Sequence, residues 1–227
     1  MLNALARSDT DADLAELPGS ERAYQVLMRA ISRGELKSGA RLREADVAEL
    51  TGLSRTPVRA ALARLEEQGL VVNEGARGLV VVALDHSAVS ELYAMREVLE
   101  GTAARLAARH ASDVEIAILR EIIERDAKLT DARALADSNR LFHNTLYRCS
   151  HNRYLLKTLR SLQESMLLLG QTTLATTERA AQSRAEHSQL IDAIEAHDPD
   201  AAERHARTHI AAAFKVRLSM MLESGGE

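Results

Sequence analysis

Read as apolar against polar positions, the chain changes character near residue 84. Before it, helical and strand-like periods alternate; after it, only the helical period recurs. A first helix is predicted over 20–33, with Tyr24, Leu27, Ala30 and Ile31 on one face and Gly34 closing it. In "RLREADVAELTGLSRTPVRAALARLEEQGL", Ala48, Gly52 and Val58 stand four and six residues apart. That spacing offers a small residue at a helix crossing, a glycine for the tight turn and a branched residue locking the next helix. It predicts a helix-turn-helix whose second helix runs from Arg55 to about Gln68, with Val58, Leu62 and Leu65 inward. The period then becomes strand-like. "LVVNEGARGLVVVAL" reads as a β-hairpin, making the unit a winged helix with Arg77 and Gly78 at the wing.

From residue 85 the pattern predicts six helices: 86–110, 113–129, 131–150, 152–174, 177–196 and 199–222. Val89, Leu92, Met95 and Leu99 share one face of the first of these. The expected fold is mainly α. An N-terminal winged helix-turn-helix with a small β-hairpin precedes an all-α helical bundle. The expected division is an acidic tail over 1–19, a winged helix over 20–83 and the bundle over 84–227.

Charge sharpens this division. Residues 20–83 hold ten Lys/Arg against eight Asp/Glu, the only basic stretch in a chain of net charge −4. Within it, Arg55 and Arg59 occupy the positive end of a helix dipole, where carboxylates would be stabilising. An external polyanion resolves the conflict. Arginine can bond guanine O6 and N7, and the N-terminal N–H groups with Thr56 can hold a phosphate. Ser54 stands at the N-cap and Pro57 in the first turn, where its missing N–H costs nothing. Cys149 is the single cysteine, which fits a reducing, cytoplasmic setting, and no apolar run reaches membrane-spanning length.

All eight histidines lie after residue 85. Asn139 and His143 are four apart on one helix face, His187 lies on a later helix and His209 on the last. Three imidazoles and a carbonyl oxygen suit a divalent ion, Zn or Ni, with positions open for water or a ligand. Spacing alone leaves packing or surface roles open for each, and His205 competes with His209 as a ligand. His86, His110, His151 and His197 read as surface or cap residues.

"SGARLREADVAELTGLSRTPVRAALARLEEQGLV" followed by "RGLVVV" resembles the winged-helix domain of GntR-type transcription regulators. By that resemblance Ser54, Arg55, Thr56 and Arg59 face DNA, Arg43 lies near the backbone, and Arg77 with Gly78 approaches the minor groove. Some members have an arginine where this chain has Ala45-Asp46. "ELYAMREVLE", "NRLFHNTLYRCSHNRYL" and "EHSQLIDAI" resemble the FadR-type C-terminal ligand-sensing domain, in its six-helix, VanR-like form. The resemblance implies a metal held by Asn139, His143, His187 and His209, with Asn139 in a place where many members have aspartate. It also puts Arg96 in the effector cavity, although Arg96 and Glu100 equally suit an i,i+4 ion pair.

The expected function is a DNA-binding transcription regulator, more often a repressor, that is not an enzyme. Its partners are double-stranded DNA with a palindromic operator, a small carboxylate-type effector and a second copy of itself, with no membrane. Two alternatives stand beside it. One is a metal-only sensor; the other is a helical metalloenzyme, which lacks a His-Glu-x-x-His motif and any evident paired base.

Overall fold

The structure is a computed structural model that describes residues 14 and 16–224. Most of the segment read as an acidic tail lies outside the described residues, while Leu14 is buried. The chain forms two compact units. One takes the residues up to Leu84 with Gln163–Gln171; the other takes Asp85–Leu162 and the chain from Thr172 onward.

The first unit holds α1 (Gly19–Ser32), β1 (Arg41–Leu42), α2 (Glu44–Thr51), α3 (Arg55–Glu67), β2 (Val71–Asn73) and β3 (Leu79–Val81). α1 buries the face its periodicity marked: Tyr24, Leu27, Ala30 and Ile31. α2 ends on Gly52 at φ 65°, a left-handed conformation that a β-carbon would strain, and this turn aims α3 away from α2. Val58, Leu62 and Leu65 of α3 close the core against Leu27 and Val47. The strands pair antiparallel in the order β1-β3-β2, with Val72 opposite Val80 and Arg41 also opposite Val80. β1 has no counterpart in the expected hairpin. Two residues are too few to leave a readable alternation.

The second unit consists of α4 (His86–His110), α5 (Asp113–Asp126), α6 (Ala132–Cys149), most of α7 (Arg153–Met166), α8 (Thr177–Glu195) and α9 (Pro199–Ser224). Side-chain caps set several starts. Asp85 accepts from Ala88 N–H, Ser112 and Glu115 form a capping box, and Asp131 accepts from Ala134 N–H. α4 packs along α9 through alanines. Gly101 permits this approach, since a β-carbon there would lie 3.1 Å from Arg207 Cγ.

Two expectations need correction. The helix expected over 152–174 stops at Met166 and continues only as a 3-10 turn, Leu167–Leu169, that ends at Gly170 with φ 68°. The apolar run continues past the backbone break, so periodicity overran it. On α4, Met95 is 48% exposed, and the inward stripe instead carries Tyr93, Arg96 and Glu100. A mutually neutralised pair turns the helix away from the purely apolar assignment.

Candidate DNA interface and metal centre

On the first unit the expected DNA-facing residues fall at the start of α3, just before α2, and at the wing. Ser54 is the N-cap of α3, yet its side chain makes no capping bond, which leaves its hydroxyl and the first-turn N–H groups to an outside acceptor. Arg43, Ser54, Arg55 and Thr56 are exposed. Arg59, one turn further, is also exposed, and its guanidinium is held side-on by Glu44: Nε and Nη2 each donate over 2.9 Å to one carboxylate oxygen. At the wing Arg77 donates to Glu74 Oε2 over 2.6 Å, next to Gly78 at φ 74°.

Arg59 and Arg77 are therefore each paired with a nearby acid. Such exposed pairs exchange readily for phosphate or base edges. Ala45 and Asp46 sit beside Glu44, so α2 adds no cation at its own first turn. Glu44 was not among the expected interface residues; its spacing from Arg59 bridges two helices and leaves no local signal. Glu44→Gln is expected to strengthen binding to a scrambled duplex several-fold at low salt, since an acid leaves a DNA-facing surface. Filter binding across a salt series checks this; a weakened scrambled-duplex affinity would contradict it.

In the second unit, α6, α8 and α9 bring together His143, His187 and His209, all buried. One ring nitrogen from each lies within 4.8 Å of the others, close enough to share one ion. His187 Nε2 is 3.3 Å from His209 Nε2. The outer nitrogens face carboxylates. His209 Nδ1 lies 2.7 Å from Glu186 Oε2, and Glu186 also accepts from Arg179 Nη1 over 3.0 Å. His143 Nδ1 lies 3.0 Å from Glu100 Oε2, at ion-pair distance but not aligned as a hydrogen bond, while Arg96 Nε donates to Glu100 Oε1 over 2.8 Å. Two arginine–glutamate pairs, Arg96–Glu100 buried at both ends and Arg179–Glu186 with a half-buried carboxylate, thus flank two imidazoles from outside.

Asn139 stands one turn before His143 on α6. Its Oδ1 is buried without a hydrogen-bond partner, as is His143 Nε2. Asn139, Ser183 and His187 line one small cavity with about 10 Å³ open to a water-sized sphere, roughly room for one water. Unpartnered acceptors inside a protein are costly, and a cation answers them at once. The donor set is nitrogen and oxygen only, which fits zinc or nickel. His205 is half-buried and outside the histidine group. His151 and His197 adopt positive φ at helix ends, contacting Glu115 and the Ala108 carbonyl respectively. Arg179, Ser183 and Glu186 were not foreseen. Glu186 directly precedes His187, but nothing in a charged, exposed-looking helix start marks Arg179 as buried.

Burial first, then the neighbouring His209, His143 and Arg179, holds the His187 pKa well below the ordinary histidine range. His209 is pushed down by burial to about 4, against the pull of Glu186. Glu100, despite burial, is held low by Arg96 and His143. Between pH 6.5 and 4 the unfolded chain takes up protons on these histidines that the folded chain refuses, so acid removes stability. The carboxylates act in the same direction below about pH 4.5. Metal-free protein is expected to melt roughly 5 °C or more lower at pH 4.5 than at pH 7. Calorimetry in the presence of chelator checks this, and a flat profile would contradict it.

No helix among the described residues is long and apolar enough to cross a membrane. Residues 19–81 match the GntR family of bacterial regulatory proteins, and residues 91–212 match the FCD domain. The chain is 34% identical to a probable D-xylose utilization operon transcriptional repressor of Paenarthrobacter nicotinovorans, over 90% of this chain and 92% of that one. It is 29% identical to the transcriptional repressor NanR of Salmonella newport, over 91% and 88% of the two chains. The Escherichia coli structure McbR/YncC shares the fold at 24% identity and a TM-score of 0.74, covering 90% of this chain and 99% of that one. With its helix-turn-helix and its helical unit both matched, the chain belongs to the GntR family of transcription regulators and carries the FCD domain.

Proposed function

We propose that the protein is a repressor that binds a palindromic operator as a homodimer, and that a small organic acid in a metal-containing helical unit controls that binding. The observation that carries the second half is the buried group of His143, His187 and His209 with the unpartnered Asn139 oxygen beside it. When bound, a divalent ion there supplies a Lewis-acid position for an effector carboxylate. Glu186 accepts a proton-bearing nitrogen of His209 and so turns Nε2 inward. Glu100 Oε2 stands at ion-pair distance from His143 Nδ1, and its other oxygen accepts from Arg96. Arg96 thereby acts on the histidine centre through Glu100.

Support for the DNA half comes from the exposed arginines on α3 and the wing, and from relatives named as a probable operon repressor and as a transcriptional repressor. Two matched half-sites require two-fold symmetry. Met95 and Val98, exposed on one side of α4, suit a second copy of the helical unit. The protein acts in the cytoplasm in this reading and performs no catalysis. Selection of operator duplexes by the purified chain, followed by binding before and after chelation, tests it. The expected result is a palindrome whose affinity changes when metal is stripped. A palindrome bound identically in both states would reject metal-dependent control.

A further inference from the structure

We infer that Arg41 on β1 is a further DNA contact, a phosphate-binding cation standing between the recognition helix and the wing; this rests on the DNA-binding reading above. β1 is short, but its backbone is fixed. Gly39 N–H donates to the Val81 carbonyl over 2.8 Å, Val81 N–H donates to the Ala40 carbonyl over 2.9 Å, and Arg41 stands opposite Val80. The chain stays extended through Arg43, at φ −97° and ψ 135°. Side chains alternate along such a segment, so Arg41 and Arg43 share one side while Leu42, 3% exposed, enters the core. Both arginines are exposed, with Cα atoms roughly 6.6 Å apart at the usual strand rise.

The two ends of this segment reach the two expected contact regions. Arg43 is the N-cap residue of α2, next to the Glu44 that holds Arg59 of α3. Arg41 lies against the wing turn: a β-carbon on Gly78 would stand 3.8 Å from its Nη2 and 3.9 Å from its Nε. Gly78 adopts φ 74° and ψ −155°, a region kept by glycine, so no side chain stands between the guanidinium and that turn. Charge separates Arg41 from the wing's own arginine. Arg77 is paired with Glu74 at 2.6 Å, whereas among the described residues no acid pairs with Arg41 or Arg43. Two like charges on one face, with no counter-ion from the protein, suit a polyanion running from α3 to the wing. A DNA strand is such a polyanion. β1 belongs neither to the recognition helix nor to the hairpin, so its arginines meet phosphates and leave base edges to α3.

The test compares wild type, Arg41→Ala and Arg41→Lys on the selected operator and on a scrambled duplex, by filter binding from about 50 to about 200 mM salt. Arg41→Ala should weaken both duplexes by the same factor and lower the salt slope by about one per bound chain. Its deficit per chain should therefore narrow roughly 3-fold across that range. Arg41→Lys keeps the charge and should hold the wild-type slope on both duplexes, a rescue that a merely structural role would not give. If Arg41→Ala folds poorly, Arg41→Gln supplies the same comparison. Wild-type affinity and slope in the neutral variant would overturn the inference. So would a loss confined to the operator, which marks a base contact, or an Arg41→Lys protein as weak as the neutral one. Wild type that binds neither duplex defeats the DNA-binding reading as well, whereas normal wild-type binding with an unaffected Arg41→Ala defeats this inference alone.

Discussion

His143→Ala is expected to abolish metal uptake and every effector response while the first unit stays folded and binds DNA. His143 is the ligand with the least replaceable surroundings. Its Nε2 is buried and unpartnered, and its Nδ1 faces Glu100, whose other oxygen is engaged by Arg96. Removing the imidazole leaves two ring donors, too few for a closed site, and opens a void beside Phe142 and Tyr147. The Arg96–Glu100 pair loses a neighbour but keeps its own internal match. Elemental analysis, titration with zinc and circular dichroism of the variant together check the expectation. Retention of one tightly bound ion per chain would show that His143 is packing and not a ligand.

Arg59→Ala is expected to lower operator affinity roughly 10- to 100-fold while changing scrambled-duplex affinity little, as suits a bidentate base contact. In the free protein Glu44 holds the guanidinium side-on, and base contact exchanges that carboxylate for the guanine edge. The fork stands one turn into α3, behind Arg55 and Thr56, whose place in the first turn suits phosphate contacts. If Arg59 instead bonded a phosphate, the alanine variant would weaken on both duplexes equally and show a smaller salt slope. Gel shift against the selected operator and a scrambled control, at two salt concentrations, separates these. Equal operator affinity of wild type and variant would remove Arg59 from the interface.

How much of this could be read from sequence depended on whether a residue's role is local. The α3 start, the Gly52 turn and the six later helices carry their signals within a few neighbours: a cap, a glycine, a 3.6-residue period. Asn139 and His143 were readable as a pair because one helical turn joins them. His187 and His209 needed the family likeness, since the packing of α8 against α9 brings them together from 22 residues apart in sequence. The Arg179–Glu186 pair was not legible. Seven residues separate its members on α8, and a buried arginine looks in sequence like any solvated one. Glu44 was missed for the same reason, as its partner lies 15 residues away on another helix. The α7 break was missed because Leu167–Leu169 continues the apolar run after the α-helix has ended at Met166.

The most direct test of the account is the metal content of wild-type protein purified without chelator or affinity metal, followed by titration of stripped protein at pH 7. The account predicts one divalent ion per chain, zinc or nickel, released by chelator and restored by titration, with His143, His187 and His209 as its imidazole ligands. A wild-type chain that carries no ion and takes none up would contradict it. The three buried histidines would then form a neutral packed cluster, and any effector would be held by arginine alone.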